Sequence, residues 1–168
     1  MSIQTKGKHT MTIQTNDILY RIKKALNLTE AEMLEAYALA EYPMEAERLD
    51  ALLKRRQDKG FDLCSYEDLG VFLDGLIVLR RGPSPKKAES NDAVALTNNL
   101  ILKKLRIALE LKEPETEIIF NLADVKLTKQ ELKSLFRKEG HRNFKSCPDE
   151  LLMAFLEGLE EFFYDPEK

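Results

Sequence analysis

Two cysteines stand in the same short motif, Phe61-x-x-Cys64 and Phe144-x-x-Cys147, each just ahead of an apolar helical stretch. A thiol at a helix N-terminus faces unpaired N–H groups and the positive end of the helix dipole, which favours thiolate. With each cysteine read as an N-cap, Pro148 falls at the first helical position and Glu67 and Glu150 at the third. That arrangement would make Cys64 and Cys147 a candidate thiol site, reactive or metal-binding. Two observations oppose it. Glutamates at the third position disfavour a thiolate, and free cysteines are among the most buried residue types, so a small apolar residue tucked under the preceding Phe is the simpler expectation. No C-x-x-C and no matched histidine support zinc, and no cofactor motif is present. His141 lies in a Gly140-His141-Arg142-Asn143 turn. As a general base it would need an orienting partner and a nucleophile, and the sequence identifies neither.

Charge is uneven. Residues 126–145 hold seven bases against two acids. Lys129, Lys133 and Arg137 are spaced i, i+4, i+8, so one helix face would carry all three, and Lys103, Lys104 and Arg106 add cations on another helix. These six are the candidate partner-binding residues, suited to a nucleic acid or an acidic protein. The opposing expectation is a solvated charged face. Acids gather instead at the far end, with Glu157, Glu160, Glu161, Asp165 and Glu167 reading as a solvated terminus.

The elements that must position these groups come in two copies. Offset by 83 positions, the chain matches itself without a gap, and 20 of the 64 positions from 16 to 79 are identical. Random pairing gives roughly a quarter of that for ordinary composition. The matches fall on helical core faces. Ile18, Leu19, Ile22, Ala25 and Leu26 form one stripe, repeated by Ile101, Leu102, Leu105, Ala108 and Leu109. Thr29 with Glu32, and Thr128 with Glu131, are capping boxes, and Gly140 reads as a helix stop. Phe72, Leu73 and Leu76 recur as Phe155, Leu156 and Leu159, with Gly75 and Gly158 inside the same helices. A glycine there costs roughly 1 kcal/mol against alanine, so its recurrence points to a close helix–helix approach. The cationic stripe is not part of the repeat, because its counterparts are Ala46, Asp50 and Lys54.

The expected fold is all-α: two tandem homologous four-helix units packed as a pseudo-two-fold pair through helix four. Residues 1–10 read as a leader or disordered N-terminus, 11–82 as helical repeat 1, 83–96 as a Pro- and Ser-containing linker, and 97–168 as helical repeat 2. Helix four is also the expected face of any homo-oligomer. The 168 residues are 43% hydrophobic and 33% charged, with no apolar run near the roughly 20 residues that span a bilayer. No membrane association is expected and the expected compartment is the cytoplasm, where both cysteines stay reduced. A net charge of −3 argues against a generally basic nucleic-acid binder while leaving room for a local patch.

Asn98-Asn99, the run Leu102 to Leu109, Asn143-Phe144-x-x-Cys147, Phe155-Leu156-x-Gly158-Leu159, and Phe72-Leu73-Asp74-Gly75-Leu76-Ile77 followed by Arg81-Gly82 resemble the YehS-like proteins of bacteria. The resemblance covers residues 13–164, implies Met11 as the natural start and implies no activity. The function expected is non-enzymatic binding or scaffolding with a protein or nucleic-acid partner. The alternative is an enzyme or redox-responsive protein using the repeated cysteines or His141.

Overall fold

In the computed structural model, residues 13–83 and 95–166 are described. Among them are eight α-helices and no strand: α1 (Thr15–Ala25), α2 (Glu30–Leu39), α3 (Ala46–Leu52), α4 (Tyr66–Arg81), α5 (Asn98–Ala108), α6 (Glu113–Leu122), α7 (Lys129–Leu135) and α8 (Asp149–Phe162). The expected leader, and the linker apart from residues 83, 95 and 96, lie outside the described residues.

Local chemistry sets the helix starts. Thr29 and Glu32 exchange backbone N–H bonds at 3.0 and 2.8 Å, and Thr128 and Glu131 do the same at 3.0 and 2.8 Å. Ser65 and Asp68 make a third box at α4. The caps of α4 and α8 are Ser65 and Pro148, so each cysteine stands one residue outside the helix rather than at its cap. The turns repeat as faithfully as the helices. Asn27 and Glu110 both adopt positive φ (53° and 54°), as do Glu41 and Asp124 (56° and 61°). Helix α7 ends at Leu135, short of the stop expected at Gly140, so Arg137 lies beyond it in the following turn.

Within each unit the fourth helix packs on the second, α4 on α2 and α8 on α6. Here the two glycines have their role. A Cβ on Gly75 would fall on the Ala36 carbonyl, and one on Gly158 on the Ile119 carbonyl. The close approach is therefore inside each unit, not between units as the shared helix-four pattern suggests. Aromatic pairs fill the same joint, Tyr37–Phe72 at 5.6 Å and Phe120–Phe155 at 5.2 Å.

Between units, α4 packs on α5 and α1 on α8. The pseudo-two-fold pair is thus built from helix four of each unit against helix one of the other. Phe72, Leu73, Leu76, Phe155, Leu156 and Leu159 are all buried within the single chain. Polar bonds tie each first helix to its own unit. Asn16 donates to the carbonyls of Leu52 and Asp62 (both 2.9 Å) and accepts from Cys64 N–H (3.0 Å). Asn99 repeats this with Leu135, Lys145 and Cys147 at 2.9, 2.8 and 2.9 Å.

Candidate anion-binding face

The cysteines occupy the inner end of these asparagine clamps. Cys64 and Cys147 are buried, and their thiols donate to the carbonyls of Ser65 and Pro148. Burial, reinforced by the negative charge of Asp68, pushes the Cys64 thiol up to about 12. Burial and the charge of Asp149 push Cys147 up as well. Each thiol is covered and lies one residue outside the helix cap, and its desolvation opposes the thiolate that the helix dipole would favour. His141 is exposed, and its Nδ1 accepts from Asn143 N–H at 3.0 Å, which makes it part of its turn. Among the described residues no three His, Cys, Asp or Glu side chains gather to hold a metal ion.

The polar centre of the first unit went unpredicted. Asp68, fully buried on α4, receives both guanidinium nitrogens of Arg48 at 2.9 and 2.7 Å and the Tyr42 hydroxyl at 2.7 Å. Ser65 N–H adds a bond at 2.9 Å, and Tyr37 donates to the Asp68 carbonyl at 2.9 Å. Burial works to raise this carboxyl, but the bonds from Arg48, Ser65 and Tyr42 prevail and hold it well below the usual carboxylate range. Tyr42 is pushed up to about 12, first by its bond to Asp68 and then by burial. Arg48 also reaches Asp62 at 3.3 Å.

At the corresponding positions of the second unit stand Phe120, Val125, Glu131, Lys145 and Leu151. The buried acid has become leucine, and Asp62 has become a lysine. Around Lys145 lies a concavity of about 520 Å³ whose walls include Lys133, Arg137, Arg142, Phe144 and Lys145. Lys133 and Arg137 also line an adjoining hollow of about 350 Å³ with Arg106, Phe136 and Glu113. Arg106 and Phe136 in turn line a third, of about 430 Å³, with Lys103 and Lys112. The middle hollow shares side chains with each of the other two, giving a cationic trough along α5, α7 and the α7–α8 loop whose walls also hold Glu110, Glu113 and Glu131, with Arg81 paired to Glu110 at 3.9 Å. Among the described residues Lys103, Arg106, Lys133, Arg137, Arg142 and Lys145 make no ion pair. In the first unit two cations of the matching surface are paired, Lys54 with Asp50 at 3.5 Å and Arg48 with Asp62 at 3.3 Å, while Arg55, Arg56 and Lys59 make no ion pair among the described residues.

Of the six cations singled out from sequence, Lys103, Arg106, Lys133 and Arg137 line this trough. Lys129 is exposed at the first turn of α7 and does not line it. Lys104 is turned away: it is buried and its ammonium pairs with Asp74 across the α4–α5 joint, so it holds the units together. Arg142, Phe144 and Lys145 were missed as wall residues, since their loop carries no helical spacing. A larger hollow, about 700 Å³, lies elsewhere, between α1 and α8. There Arg21 and Lys24 face Asp124, Glu157, Glu160 and Glu161, and Lys24 pairs with Glu160 at 3.5 Å, which leaves the hollow acidic and unsuited to a polyanion.

Both halves match one family description, "Protein of unknown function (DUF1456)", once over residues 15–82 and again over 98–162. The chain belongs to that family. It is similar to the uncharacterized protein YehS of Escherichia coli (strain K12), with 31% identity over 145 residues, covering 86% of this chain and 93% of that protein. No solved structure matches it. The double match agrees with the internal repeat, and none of these descriptions names an activity or a partner. No helix among the described residues is long and apolar enough to cross a membrane.

Proposed function

We propose that this family member is a cytoplasmic, non-enzymatic binding protein whose second unit recognises a polyanionic macromolecule, with the first unit as its structural support. One observation carries the reading. Lys103, Arg106, Lys133, Arg137 and Arg142 make no ion pair among the described residues and outnumber the acids on the same walls, Glu110, Glu113 and Glu131, whereas Asp50 and Asp62 of the first unit are replaced by Lys133 and Lys145. Unpaired like charges gathered on one face repel one another and raise the local potential, which an anionic partner relieves. The buried, protonated thiols and the solvated His141 supply no activated nucleophile or oriented base.

The test is retention of the full chain on immobilised single-stranded DNA, RNA and poly-glutamate as salt is raised. Binding through several ionic contacts falls steeply with salt. Lys133→Glu, Arg137→Glu and Lys145→Glu together should abolish retention while leaving the helical circular dichroism unchanged. Retention that survives the triple change would reject this face as the site.

A further inference from the structure

The trough contains one cation unlike the rest. Arg106 is half-buried on α5, its guanidinium carbon 4.5 Å from the centroid of the Phe136 ring. Its Nε–H donates to the Leu111 carbonyl at 3.0 Å. Two of its three nitrogens are left without a partner among the described residues, and the side chain lines two of the three hollows. The group is therefore fixed in plane and in position before any ligand arrives. Lysines on flexible stems give no such orientation, and a fixed guanidinium fork matches the paired oxygens of a phosphate. The first unit lacks the device, since Lys23 and Leu53 stand where Arg106 and Phe136 stand in the second.

We infer that Arg106 is the phosphate-reading residue of the trough and that the ligand is single-stranded nucleic acid. This rests on the proposed polyanion-binding role. Three features favour a single strand over a duplex or an acidic protein. The surface is recessed into three hollows in series, which admit successive units of a thin strand, and α7, at seven residues, is no long recognition helix of the kind that enters a duplex groove. Flat groups stand among the cations: Phe144 on the wall of the loop hollow and the Phe136-backed guanidinium at the junction of the other two. Unpaired bases stack on aromatic and guanidinium planes, whereas a duplex hides its base faces and carboxylate side chains have no use for such planes.

The experiment is fluorescence anisotropy with the full chain and fluorescein-labelled probes: a 20-nucleotide oligo-dT, an oligo-U of the same length, a 20-base-pair duplex, and poly-glutamate. The single strands should bind at least about tenfold more tightly than duplex or poly-glutamate at equal salt. Arg106→Lys keeps the charge and loses the fork, so affinity should fall on the order of tenfold, the scale of a lost charge-assisted hydrogen bond. Its salt dependence should stay unchanged, because the number of ionic contacts is the same. Phe136→Leu installs the residue of the first unit, frees the guanidinium and should give a smaller loss of the same kind. Thermal melts of both variants, read alongside, check that they fold. Single strands bound no better than duplex, poly-glutamate bound best, or Arg106→Lys binding like the parent would each overturn this inference, while leaving the cationic face as a polyanion site. Binding to none of the four probes would overturn both readings.

Discussion

The two units share a backbone design and differ in where they keep their charge. In the first, a buried carboxylate draws Arg48 inward, together with Tyr42, and surface acids pair with Arg48 and Lys54. In the second, leucine replaces that carboxylate and the cations stand unpaired around an open trough. The second unit keeps a smaller buried polar pair, Asn98 with Asp149 at 2.8 Å, and presents more of its cations outward. The parts they still share are those that fix geometry: the capped helices, the asparagine clamp, the two glycines and the positive-φ turns.

The comparison can be broken at its common element first. Gly75→Ala and Gly158→Ala each place a Cβ on a backbone carbonyl of the neighbouring helix, which no rotamer change relieves. Each should cost about 3 kcal/mol or more, at the upper end for overpacking, and by similar amounts in both units. Urea denaturation checks this, and a large cost in one unit alone would show that the joints are not equivalent.

The next effect should separate the units. Arg48→Ala leaves the Asp68 carboxylate buried with only Tyr42 and backbone partners. Breaking a fully buried pair costs about 3–5 kcal/mol, and because Arg48 itself is 39% exposed we expect nearer 2. Glu131→Ala, at the matching position, removes a capping-box contact and an exposed attraction to Lys145 and should cost about 0.5–1 kcal/mol. The Arg48 effect should also depend on pH. Because the folded Asp68 pKa is lowered, its contribution is complete above the unfolded value of about 4 and is lost as pH falls from there toward the folded value. The gap between parent and Arg48→Ala in urea melts should be widest at pH 7 and shrink below about pH 4. A gap constant down to pH 2 would mean that Arg48 acts through packing and not through Asp68.

The smallest effect concerns the turns. Glu110 holds φ at 54°, a conformation that glycine adopts freely and a glutamate does not. Glu110→Gly should be stabilising or neutral, within about 1 kcal/mol, and Asn27→Gly nearer neutral because asparagine tolerates that region better.

Much of this architecture was legible in the sequence because duplication writes each core position twice. Leu19 and Leu102, Phe72 and Phe155, and the paired glycines announce a shared core by their identity and spacing. Identity alone could not say which helix each glycine meets, and the answer, helix two of the same unit, depends on tertiary geometry. The same holds for the exchange of first helices, since an apolar stripe does not name its partner. Asn16 and Asn99 were visible as a match, but their bonds reach residues 36 to 48 positions away. The Asp68 network and the Arg106–Phe136 pair lie at positions where the two copies disagree. The usable signal was there: Asp68 against Leu151, Tyr42 against Val125 and Leu53 against Phe136 are the substitutions by which the units diverged.

The central claim is that binding belongs to the second unit. Photo-crosslinking places it directly: a single-stranded oligonucleotide carrying 5-iodouracil is bound to the full chain, irradiated, and the attached peptides are mapped by mass spectrometry. The account predicts crosslinks within residues 103–112 and 133–145, centred near Phe136 and Phe144. Crosslinks concentrated in the matching segments of the first unit, 20–29 and 50–62, or spread evenly over both, would contradict it.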